Sequence, residues 1–372
     1  MSVKICNRCV MDSTIKVIDF DENGICNYCK TYEDRVDTEL YQEPERTQKL
    51  NLLMEKIKKG GKGKQYDCII GVSGGVDSSY VAHLVKEFEL RPLAIHLDNG
   101  WNSELAVKNI EQLLEKLDIH LYTHVIEWEE FKDLQRSFIK SSIENLEIPT
   151  DHAITALLLK TADKYNIKYI LNGSNLVTEG ILPIQGGRNI DYKLLKDIHS
   201  KFGEKKLRTY PAISIWKFAY MLLIKKIKFI PILNYFDFDK ENAIKILEKK
   251  YDWIRYGGKH YESIFTRFFQ GYILPNKYDY DKRKAHLSTM IMSGQASRES
   301  ALEELKQNPY PNENLLKEDL EFFLKKLDFT NLEFEKIMNE EVKDITNYKS
   351  YESMLEKLKP LVYKIKEYGK GS

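Results

Sequence analysis

Short apolar runs and helical repeats alternate along the middle of the chain. Strands are predicted where apolar runs end in polar or turn-forming residues, at 66–72, 92–98, 121–128 and 168–175. Between these runs apolar side chains recur at helical spacing, as in Val81, Leu84, Val85 and Phe88. Strands that alternate with helices form a parallel sheet covered on both faces, so we expect a doubly wound α/β domain.

The pattern changes on either side of this domain. Periodicity weakens from Ile181 to Tyr210, where "PIQGGRNIDY" predicts a mobile loop, and from Pro211 onward the chain is mostly helical. Amphipathic segments such as "LLKEDLEFFLKKL" are typical of helices that pack rather than carry chemistry. We therefore divide the chain into an N-terminal module at 1–45, the α/β domain at 46–210 and a mainly helical region at 211–372.

Charge and hydropathy narrow the class of protein. The 372 residues carry a net charge of +1 from 57 basic and 56 acidic side chains, which gives no general attraction for nucleic acid or anionic membrane. The N-terminus lacks the apolar run of a secretory signal, so a cytoplasmic protein is expected. The most apolar stretch, at 216–233, is interrupted by Lys225, Lys226 and Lys228, so it is too short to span a membrane. It could form an amphipathic helix on a membrane surface, or a buried helix and strand between two domains. We favour the second interpretation.

Two cysteine pairs stand near the N-terminus. Cys6 and Cys9 form one pair, Cys26 and Cys29 form the other, and sixteen residues separate the pairs. The spacing indicates one tetrahedral zinc site with four thiolate ligands, for which Gly24 in "Asn-Gly" supplies a turn. Two disulfides are the alternative, but a reducing compartment disfavours them. Four protein ligands leave no position for water, so the predicted zinc is structural.

A glycine-rich segment follows the first strand and precedes a helix. In "CIIGVSGGVDSS" the glycines Gly74 and Gly75 let backbone N–H groups approach an anion, and the following helix adds its positive end. Ser73 and Ser78 offer hydroxyl groups. The segment lacks the lysine of a Walker loop, and Asp77 would repel a bare phosphate, which suggests a shared Mg²⁺.

This segment resembles the SGGxDS fingerprint of the ATP pyrophosphatase (PP-loop, HUP-like) superfamily. The resemblance implies that residues 73–78, with Val76 among them, hold the β and γ phosphates of ATP while a nucleophile attacks the α phosphorus. It also implies that His96 and Asp98, after the second strand, seat the adenosine. "NGSNLVTEG" resembles the corresponding segment of ammonia-dependent NAD synthetases, which assigns Gly173 and Asn175 to the phosphates and Glu179 to Mg²⁺, although Glu179 is one residue further along than in that pattern.

A second resemblance covers nearly the whole chain. The segments "CNRCVMD", "DIHSKFG", 252–275 and 281–310 resemble those of the N-acetyl sugar amidotransferases of bacterial surface-polysaccharide and nonulosonic-acid biosynthesis. The family is taken to convert an acetamido group into an acetamidino group. The amide oxygen would attack ATP, pyrophosphate would leave, and ammonia would displace AMP from the O-adenylyl imidate. The resemblance implies ATP, Mg²⁺ and structural Zn²⁺ as cofactors and an N-acetyl sugar as substrate.

The charged and aromatic residues after Tyr251 are candidates for the sugar site, because they are too polar for a core. The substrate-binding candidates are Tyr256, Glu262, Arg267, Lys277, Lys282, Arg283 and His286. Lys259 and His260 are candidate catalytic residues, with His260 as the base that accepts a proton from ammonium. For each of them a solvated position or a structural ion pair is the alternative.

The nitrogen source is expected to be a separate protein. The chain begins Met-Ser, without the N-terminal cysteine of one glutaminase class, and Cys68 lies inside a predicted strand rather than on the elbow of another. A separate glutaminase subunit would then deliver ammonia. The main rival function is tRNA thiolation, which would need a further reactive cysteine, and a noncatalytic nucleotide sensor is the second rival.

Overall fold

The computed structural model shows an N-terminal cysteine module, an α/β domain and a set of short helices. These helices follow Tyr251 in the chain, and we call this region the cap. The structure describes residues 3–15, 17–183, 189–258, 261–310, 312–352 and 354. The predicted mobile loop at 183–192 lies partly outside these residues.

The α/β domain is built on one parallel sheet. Its strands are β1 (Cys68–Gly71), β2 (Pro92–Asp98), β3 (His120–Val125), β4 (Tyr169–Asn172) and β5 (Lys228–Pro231). They lie in the order β3-β2-β1-β4-β5, and each neighbouring pair is parallel. From the central strand β1 the chain adds β2 and then β3 on one side. It then returns to add β4 and β5 on the other side of β1. This confirms the doubly wound prediction.

The helices are named in chain order. They are α1 (Asn27–Glu39), α2 (Glu45–Gly61), α3 (Val76–Glu87), α4 (Glu104–Lys116), α5 (Trp128–Ser141), α6 (Ile148–Lys164), α7 (Leu176–Glu179), α8 (Tyr192–Phe202), α9 (Ile215–Leu223), α10 (Lys240–Tyr251), α11 (Ile264–Phe268), α12 (Leu274–Tyr278), α13 (Arg283–Met292), α14 (Arg298–Lys306), α15 (Glu313–Lys326) and α16 (Asn331–Asn339).

The sheet is buried on both faces because its side chains alternate between two cores. Cys68 and Ile70 of β1 pack with apolar side chains of α2, α3, α4 and α10. Ile69, between them in sequence, packs on the opposite face with α5, α6, α8 and the helical cap. Alternation with period two places successive residues on opposite faces, and helices on both sides account for the nearly continuous apolar runs of the strands.

Two elements differ from the sequence prediction. Residues 192–202 form α8, capped by the Asp191 side chain, where weak periodicity suggested no regular structure. The apolar stretch at 216–233 contains β5, which pairs with β4, so the sheet extends past residue 210. We favoured a buried helix for this stretch, but the helix, α9, is partly exposed: Trp216 is 69% exposed.

The cap contains a helix interrupted by a π-helical turn. α11 runs into five residues of π-helix, Phe269–Ile273, before α12 continues the same rod. Pro275 in the first turn of α12 has no N–H to donate to the carbonyl four residues earlier, at Gly271, which favours the wider turn. The turn exposes Gln270 and Gly271 toward a cavity described below.

Within the part of the chain that the structure describes, no helix has both the length and the apolar character to cross a membrane.

Candidate functional site

The glycine-rich loop joins β1 to α3 in a tight turn. Gly74 has a φ of +83°, and an added Cβ would lie 2.8 Å from the carbonyl oxygen of Ala106, so glycine is required there. The Ser73 and Ser78 hydroxyl oxygens are 3.2 Å apart, and the Gly75 N–H donates to the Ser73 hydroxyl. With these bonds the loop leads into α3, whose first turn lines the cavity described below.

The loop lies at the point where the chain reverses its direction across the sheet. β1 and β4 are neighbours, and the connections after them lead to opposite sides, which leaves a crevice at their carboxyl ends. Gly173, directly after β4, approaches the loop so closely that an added Cβ would be 2.9 Å from the Ser78 nitrogen. Two chain segments with little side-chain bulk thus meet where a ligand is expected.

A cavity of about 250 Å³ opens over this crevice. It is lined by Ser73, Gly75, Val76, Asp77, Ser78, Gly173, Glu179, Lys240, Tyr256, Gly258 and Glu262. We call it the phosphate cavity. Residues that the sequence predicted after β1, after β4 and in the cap therefore line one cavity. Gly74 is not in the lining, but it shapes the loop. Its carbonyl accepts hydrogen bonds from Tyr256 (2.9 Å) and from the Trp253 indole (3.3 Å).

Lys240 in the lining was not predicted from the sequence. It is the first residue of α10, and its side chain reaches the phosphate cavity from a part of the chain far from the loop. Among the described residues, no carboxylate forms an ion pair with its ammonium group. A lysine, which the loop lacks in its own sequence, therefore lines the same cavity from another element, which no local motif could indicate.

Asp77 and Glu179 both line the phosphate cavity and are the predicted Mg²⁺ ligands. In the described residues the cysteine cluster is the one group of three or more His, Cys, Asp or Glu side chains with ligand atoms close enough to share an ion, so Asp77 and Glu179 are not part of a larger protein cage for a metal. Two carboxylates in the lining of one cavity suit Mg²⁺, because this ion typically binds one or two carboxylates together with substrate phosphates and water.

Three other predicted nucleotide residues lie outside the lining and have partners within the protein. The His96 ring bonds to the Val72 carbonyl (2.9 Å) and to the Asn102 amide (3.1 Å). Asp98 accepts from the Gly100 N–H, at 2.9 Å. Asn175 caps α7 by accepting from the Thr178 N–H, at 2.8 Å. Asn175 thus positions the helix that carries Glu179 instead of offering its amide to the cavity.

A second cavity, of about 310 Å³, adjoins the first. Its lining comes mostly from the cap: Thr178, Glu179, Ile181, Leu182, Gly257, Gly258, Tyr261, Arg267, Gln270, Gly271, Lys282, Arg283, Ala285, His286, Glu304, Gln307, Asn308 and Pro309. We call it the cap cavity. Glu179 and Gly258 line both cavities, so two ligands bound in them would meet at Glu179.

Several predicted substrate cations are already used by the fold. Arg267 forms two 2.7 Å bonds with the Asp319 carboxylate, and Arg283 forms a similar pair with Asp281. Lys277 does not reach the cavity: its ammonium binds the carbonyl oxygens of Ile337 and Glu340 at the end of α16. Lys277 is therefore a structural residue, and the two arginines form walls of the cap cavity whose charges are balanced.

Lys282 and His286 line the cap cavity, and each has a polar partner within the protein. The Lys282 ammonium is 3.4 Å from the Glu147 carboxylate, and the His286 ring donates to the Thr178 carbonyl at 3.2 Å. The candidate catalytic residues Lys259 and His260 lie outside the described residues, next to Gly258.

The four cysteines form a compact buried cluster. The Sγ atoms of Cys9 and Cys26 are 3.7 Å apart, as are those of Cys26 and Cys29, and those of Cys6 and Cys29 are 4.0 Å apart. A tetrahedral zinc ion with bonds of about 2.3 Å holds its sulfur ligands about 3.8 Å apart. All four thiols are free, and their spacing fits zinc rather than two disulfides, whose sulfur atoms would be about 2.0 Å apart.

The cysteine module contacts the segment that carries Glu179. Arg35 on α1 donates to the Gly180 carbonyl at 2.8 Å, and an added Cβ on Gly180 would overlap the Tyr32 ring at 2.5 Å. On its other side, Arg298 of α14 donates to the carbonyls of Cys6 and Cys9. The module is therefore clamped between the cap and the short helix α7.

Two segments of the chain match known protein families. Residues 47–148 match the NAD synthase family, and residues 262–361 match the family "LPS biosynthesis protein WbpG-like, C-terminal domain". An uncharacterized protein of Methanocaldococcus jannaschii is 25% identical over 327 residues, which are 83% of this chain and 95% of that protein.

The chain is also similar to two solved synthetases. NMN synthetase from Francisella tularensis has 17% identity over 58% of this chain and 89% of its own, with a TM-score of 0.31. The NH3-dependent NAD synthetase from Campylobacter jejuni has 18% identity over 60% and 84%, with a TM-score of 0.29. The NAD synthase match over residues 47–148 confirms the resemblance of the phosphate-loop domain to the PP-loop superfamily, and the match over residues 262–361 confirms the resemblance of the C-terminal segments to WbpG-like proteins of LPS biosynthesis.

Proposed function

We propose that this protein is an ATP-dependent amidotransferase that converts the acetamido group of a bacterial sugar into an acetamidino group. An NAD synthase domain joined to a WbpG-like domain supports an ATP-dependent sugar-modifying enzyme. The amidine-forming reaction is the specific step that we add to this coarser assignment.

The observation that carries the proposal is the shared wall of the two cavities. A triphosphate in the phosphate cavity and a sugar in the cap cavity would both contact Glu179 and Gly258. A loop that grips the β and γ phosphates leaves the α phosphorus directed away from it. The acetamido oxygen of a ligand in the cap cavity is then the nucleophile placed to attack that phosphorus.

The chemistry balances in two steps. The amide oxygen forms a bond to the α phosphorus as the bond to the β-phosphate oxygen breaks, and pyrophosphate leaves. Ammonia adds to the resulting O-adenylyl imidate carbon, loses a proton, and AMP departs with the former amide oxygen. An unactivated amide is a poor electrophile, so the cleavage of ATP makes the nitrogen exchange favourable.

The residues of the phosphate cavity suit the first step. The Lys240 ammonium and the N-terminus of α3 stabilise the negative charge that develops on departing pyrophosphate. Asp77 and Glu179 would hold Mg²⁺, which supplies further charge neutralisation when bound. This arrangement explains how a phosphate loop without an internal lysine can still promote cleavage.

The cap cavity suits a sugar. Gln270, Lys282 and Asn308 offer hydrogen-bonding groups around the edge, and the Tyr261 ring gives a flat apolar wall. Because Arg267 and Arg283 are balanced by carboxylates, we do not expect the cavity to select a highly charged ligand.

The five cysteines bear on the nitrogen source and on the rival function. Four form the cluster, and Cys68 is completely buried in β1, where burial raises the pKa of its thiol. None of the five presents an accessible thiolate for hydrolysing glutamine or for carrying sulfur. This supports a separate glutaminase subunit as ammonia donor and weighs against tRNA thiolation.

The test is product analysis with purified protein, ATP, Mg²⁺, ammonium chloride and a panel of N-acetylated bacterial sugars. We expect AMP and pyrophosphate in equal amounts and a sugar product lighter by about one mass unit, because O is replaced by NH. Release of ADP, or AMP release that depends on tRNA and not on a sugar, would overturn the proposal. The D77N variant is the negative control for ATP-dependent turnover.

A further inference from the structure

Gln270 lies in the wall of the cap cavity, on the π-helical turn that joins α11 to α12. Single π-helical turns within helices are frequent at functional sites. The Gln270 side chain is partly buried and ends in an amide, whose nitrogen can only donate hydrogen bonds and whose oxygen can only accept them. The end of the amide that is left for a ligand therefore decides which ligand groups this wall can bind.

Glu147, at the start of α6, fixes the orientation of this amide. The Gln270 Nε2 donates to the Glu147 Oε2 at 3.2 Å, and the Lys282 ammonium is 3.4 Å from the same oxygen. The neighbouring ammonium favours the ionised carboxylate, which can only accept. If the Gln270 amide turned over, its oxygen would face the carboxylate oxygen with no hydrogen between them. Because no described residue donates to the Gln270 Oε1, this oxygen remains for a ligand.

The turn that carries Gln270 is also held from the side of α15. An added Cβ on Gly271 would lie 2.9 Å from the Tyr310 ring, so the turn packs closely on that ring. The Tyr310 hydroxyl donates to Asp319 at 2.7 Å, and Asp319 also binds Arg267 of α11. Gln270 is therefore positioned by the protein before any ligand binds, which lowers the cost of ordering it.

Asn308 lies beside this turn and has the opposite group left for a ligand. The added Cβ on Gly271 would be 3.9 Å from the carbonyl oxygen of Pro309, the next residue after Asn308. The Asn308 Oδ1 accepts from the Tyr310 N–H at 2.9 Å, and Asn308 lines the cap cavity. Its oxygen is thus used within the protein, so its amide nitrogen is the group that it can offer. The wall has an acceptor at Gln270 and a donor at Asn308.

A fixed acceptor distinguishes an N–H group from the other polar groups of a sugar. A hydroxyl group both donates and accepts and can rotate, so it suits either end of an amide. The N–H of an acetamido group can only donate, and an acetoxy group in the same place has no donor at all. An acetoxy ligand would leave an acceptor that cannot turn away unpaired, and a site built on such hydrogen bonds rejects analogues that lack the donor.

The place of Gln270 agrees with the proposed reaction. Gln270 lines the cap cavity but not the phosphate cavity, whereas Glu179 and Gly258 line both. In a planar trans amide the N–H and C=O bonds point in opposite directions. An acetamido oxygen that faces the α phosphorus at the shared wall therefore directs its N–H into the part of the cap cavity that ATP does not share.

We propose that Gln270 recognises the acetamido N–H of the substrate, and that Glu147 is the positioning residue that keeps the Gln270 oxygen available to it. This inference rests on the proposed function, which supplies an acetamido sugar as the ligand of the cap cavity. It adds the residue through which the protein selects an amide over the corresponding ester.

The test measures binding to the full chain by isothermal titration calorimetry. An ATP analogue with a methylene group between its α and β phosphorus atoms is present, so that no turnover occurs. The probes are N-acetylglucosamine and N-acetylgalactosamine, free or linked to a nucleoside diphosphate. Each is compared with the analogue that has an acetoxy group in place of the acetamido group.

The variants are Q270M and E147Q, and the matched control is Q295M. The Gln295 amide likewise donates a 3.2 Å hydrogen bond, to the Phe238 carbonyl oxygen, but Gln295 lines neither cavity. Thermal melts check the fold of each variant.

We expect wild type and Q295M to bind at least one acetamido probe about tenfold more tightly than its acetoxy analogue, as for one acceptor left unpaired. Q270M should bind the two ligands of that pair with similar affinity. E147Q should reduce the preference several-fold, because an amide at position 147 accommodates either orientation of the Gln270 amide. E147Q decides the question if Q270M does not fold.

A merely structural role for Gln270 would weaken the binding of both ligands equally and leave their ratio unchanged, which would overturn the inference. Failure of wild type to bind any acetamido probe, or to prefer it, would also overturn it. If the preference depends on Gln270 but ATP and ammonium yield no AMP, the proposed function fails and the role of Gln270 stands. If AMP forms and Q270M keeps the preference, the proposed function stands and this inference fails.

Discussion

The hydroxyl group of Tyr256 donates a 2.9 Å hydrogen bond to the carbonyl oxygen of Gly74. Tyr256 follows α10 and Gly74 is the turn of the phosphate loop, so the loop is held by a residue that the sequence assigned to the sugar. Burial raises the pKa of Tyr256 to about 12, which keeps the hydroxyl protonated and able to donate at neutral pH. The WbpG-like match begins shortly after Tyr256, at residue 262, so this bond joins the phosphate loop to the chain directly before that region.

Removal of this hydroxyl tests the role of Tyr256. Y256F should lower pyrophosphate release at subsaturating ATP by about fivefold, because one hydrogen bond contributes on the order of 1 kcal/mol. The effect should fall on the KM for ATP more than on that for the sugar. Y165F, at an exposed tyrosine at the end of α6 and outside both cavities, is the control. A change confined to the sugar KM would instead return Tyr256 to substrate binding.

The conformation of Gly74 gives a second prediction. G74A should abolish most ATP-dependent turnover, since the new Cβ would lie 2.8 Å from the Ala106 carbonyl oxygen and 3.1 Å from the Tyr256 hydroxyl. Gly294 has a similar φ of +76° with no atom within 4 Å of an added Cβ, so G294A carries the conformational cost alone, about 1–2 kcal/mol. Thermal unfolding and turnover should separate the two variants. Equal effects would show that close packing at Gly74 is unimportant.

Lys240 provides the third prediction. K240M should reduce pyrophosphate release by about tenfold to a hundredfold, because hydrogen bonds to a charged group contribute roughly 1.5–3 kcal/mol. K249M, on the last turn of the same helix and exposed, should behave like wild type. Thermal melts of both variants check the fold. Normal ATP turnover by K240M would mean that its ammonium faces solvent and not phosphate.

These residues show where sequence reasoning succeeded and where it could not. The phosphate loop and the four cysteines lie in short segments whose spacing indicates their chemistry. The structure gathers the four cysteines into one cluster and places Asp77 in the lining of the phosphate cavity. In sequence, four of the five strands lie between the loop and Lys240, and the packing of α10 against α3 brings the two together. Without knowledge of that packing, no pattern distinguishes Lys240 from a solvated lysine.

Internal ion pairs limit what a sequence shows about charged residues. Arg267, Arg283 and Lys277 were candidates because the sequence places charges among aromatic residues, but charges in a packed region also arise from internal pairs such as Arg267 with Asp319. The partner lies 52 residues away, beyond the reach of local patterns. Likewise α9 was expected to be buried because it is apolar, whereas Trp216 and Leu223 are exposed, and hydropathy alone does not distinguish a buried helix from an exposed apolar one.

The contact between Arg35 and Gly180 explains a role for the cysteine module. Because Gly180 follows Glu179, the module fixes the carboxylate that both cavities share. R35M should therefore reduce turnover several-fold while zinc content, measured by atomic absorption, stays at that of the wild type. R46M, on the exposed start of α2, is the control. Loss of zinc in R35M would show that Arg35 supports the metal site itself instead of Glu179.

The Asp151 carboxyl gives a pH-dependent prediction. Burial, and next the neighbouring Glu147, raise its pKa from 3.8 to about 7, while Lys282 acts in the opposite direction. Between those two pH values the folded protein holds a proton that the unfolded chain has lost, so the free energy of unfolding falls as pH rises through this window. D151N cannot ionise and escapes this loss. Its melting temperature relative to wild type should therefore increase from about pH 4 to about pH 8.

D163N is the matched control, because Asp163 lies on the same helix in a surface pair with Lys225. Its melting temperature relative to wild type should show no such increase. A difference between D151N and wild type that stays constant across the pH range would mean that Asp151 ionises alike in the folded and unfolded chains. The Glu147–Asp151 pair would then carry no proton at neutral pH, and the start of α6 would present two negative charges to Lys282 and the cap cavity.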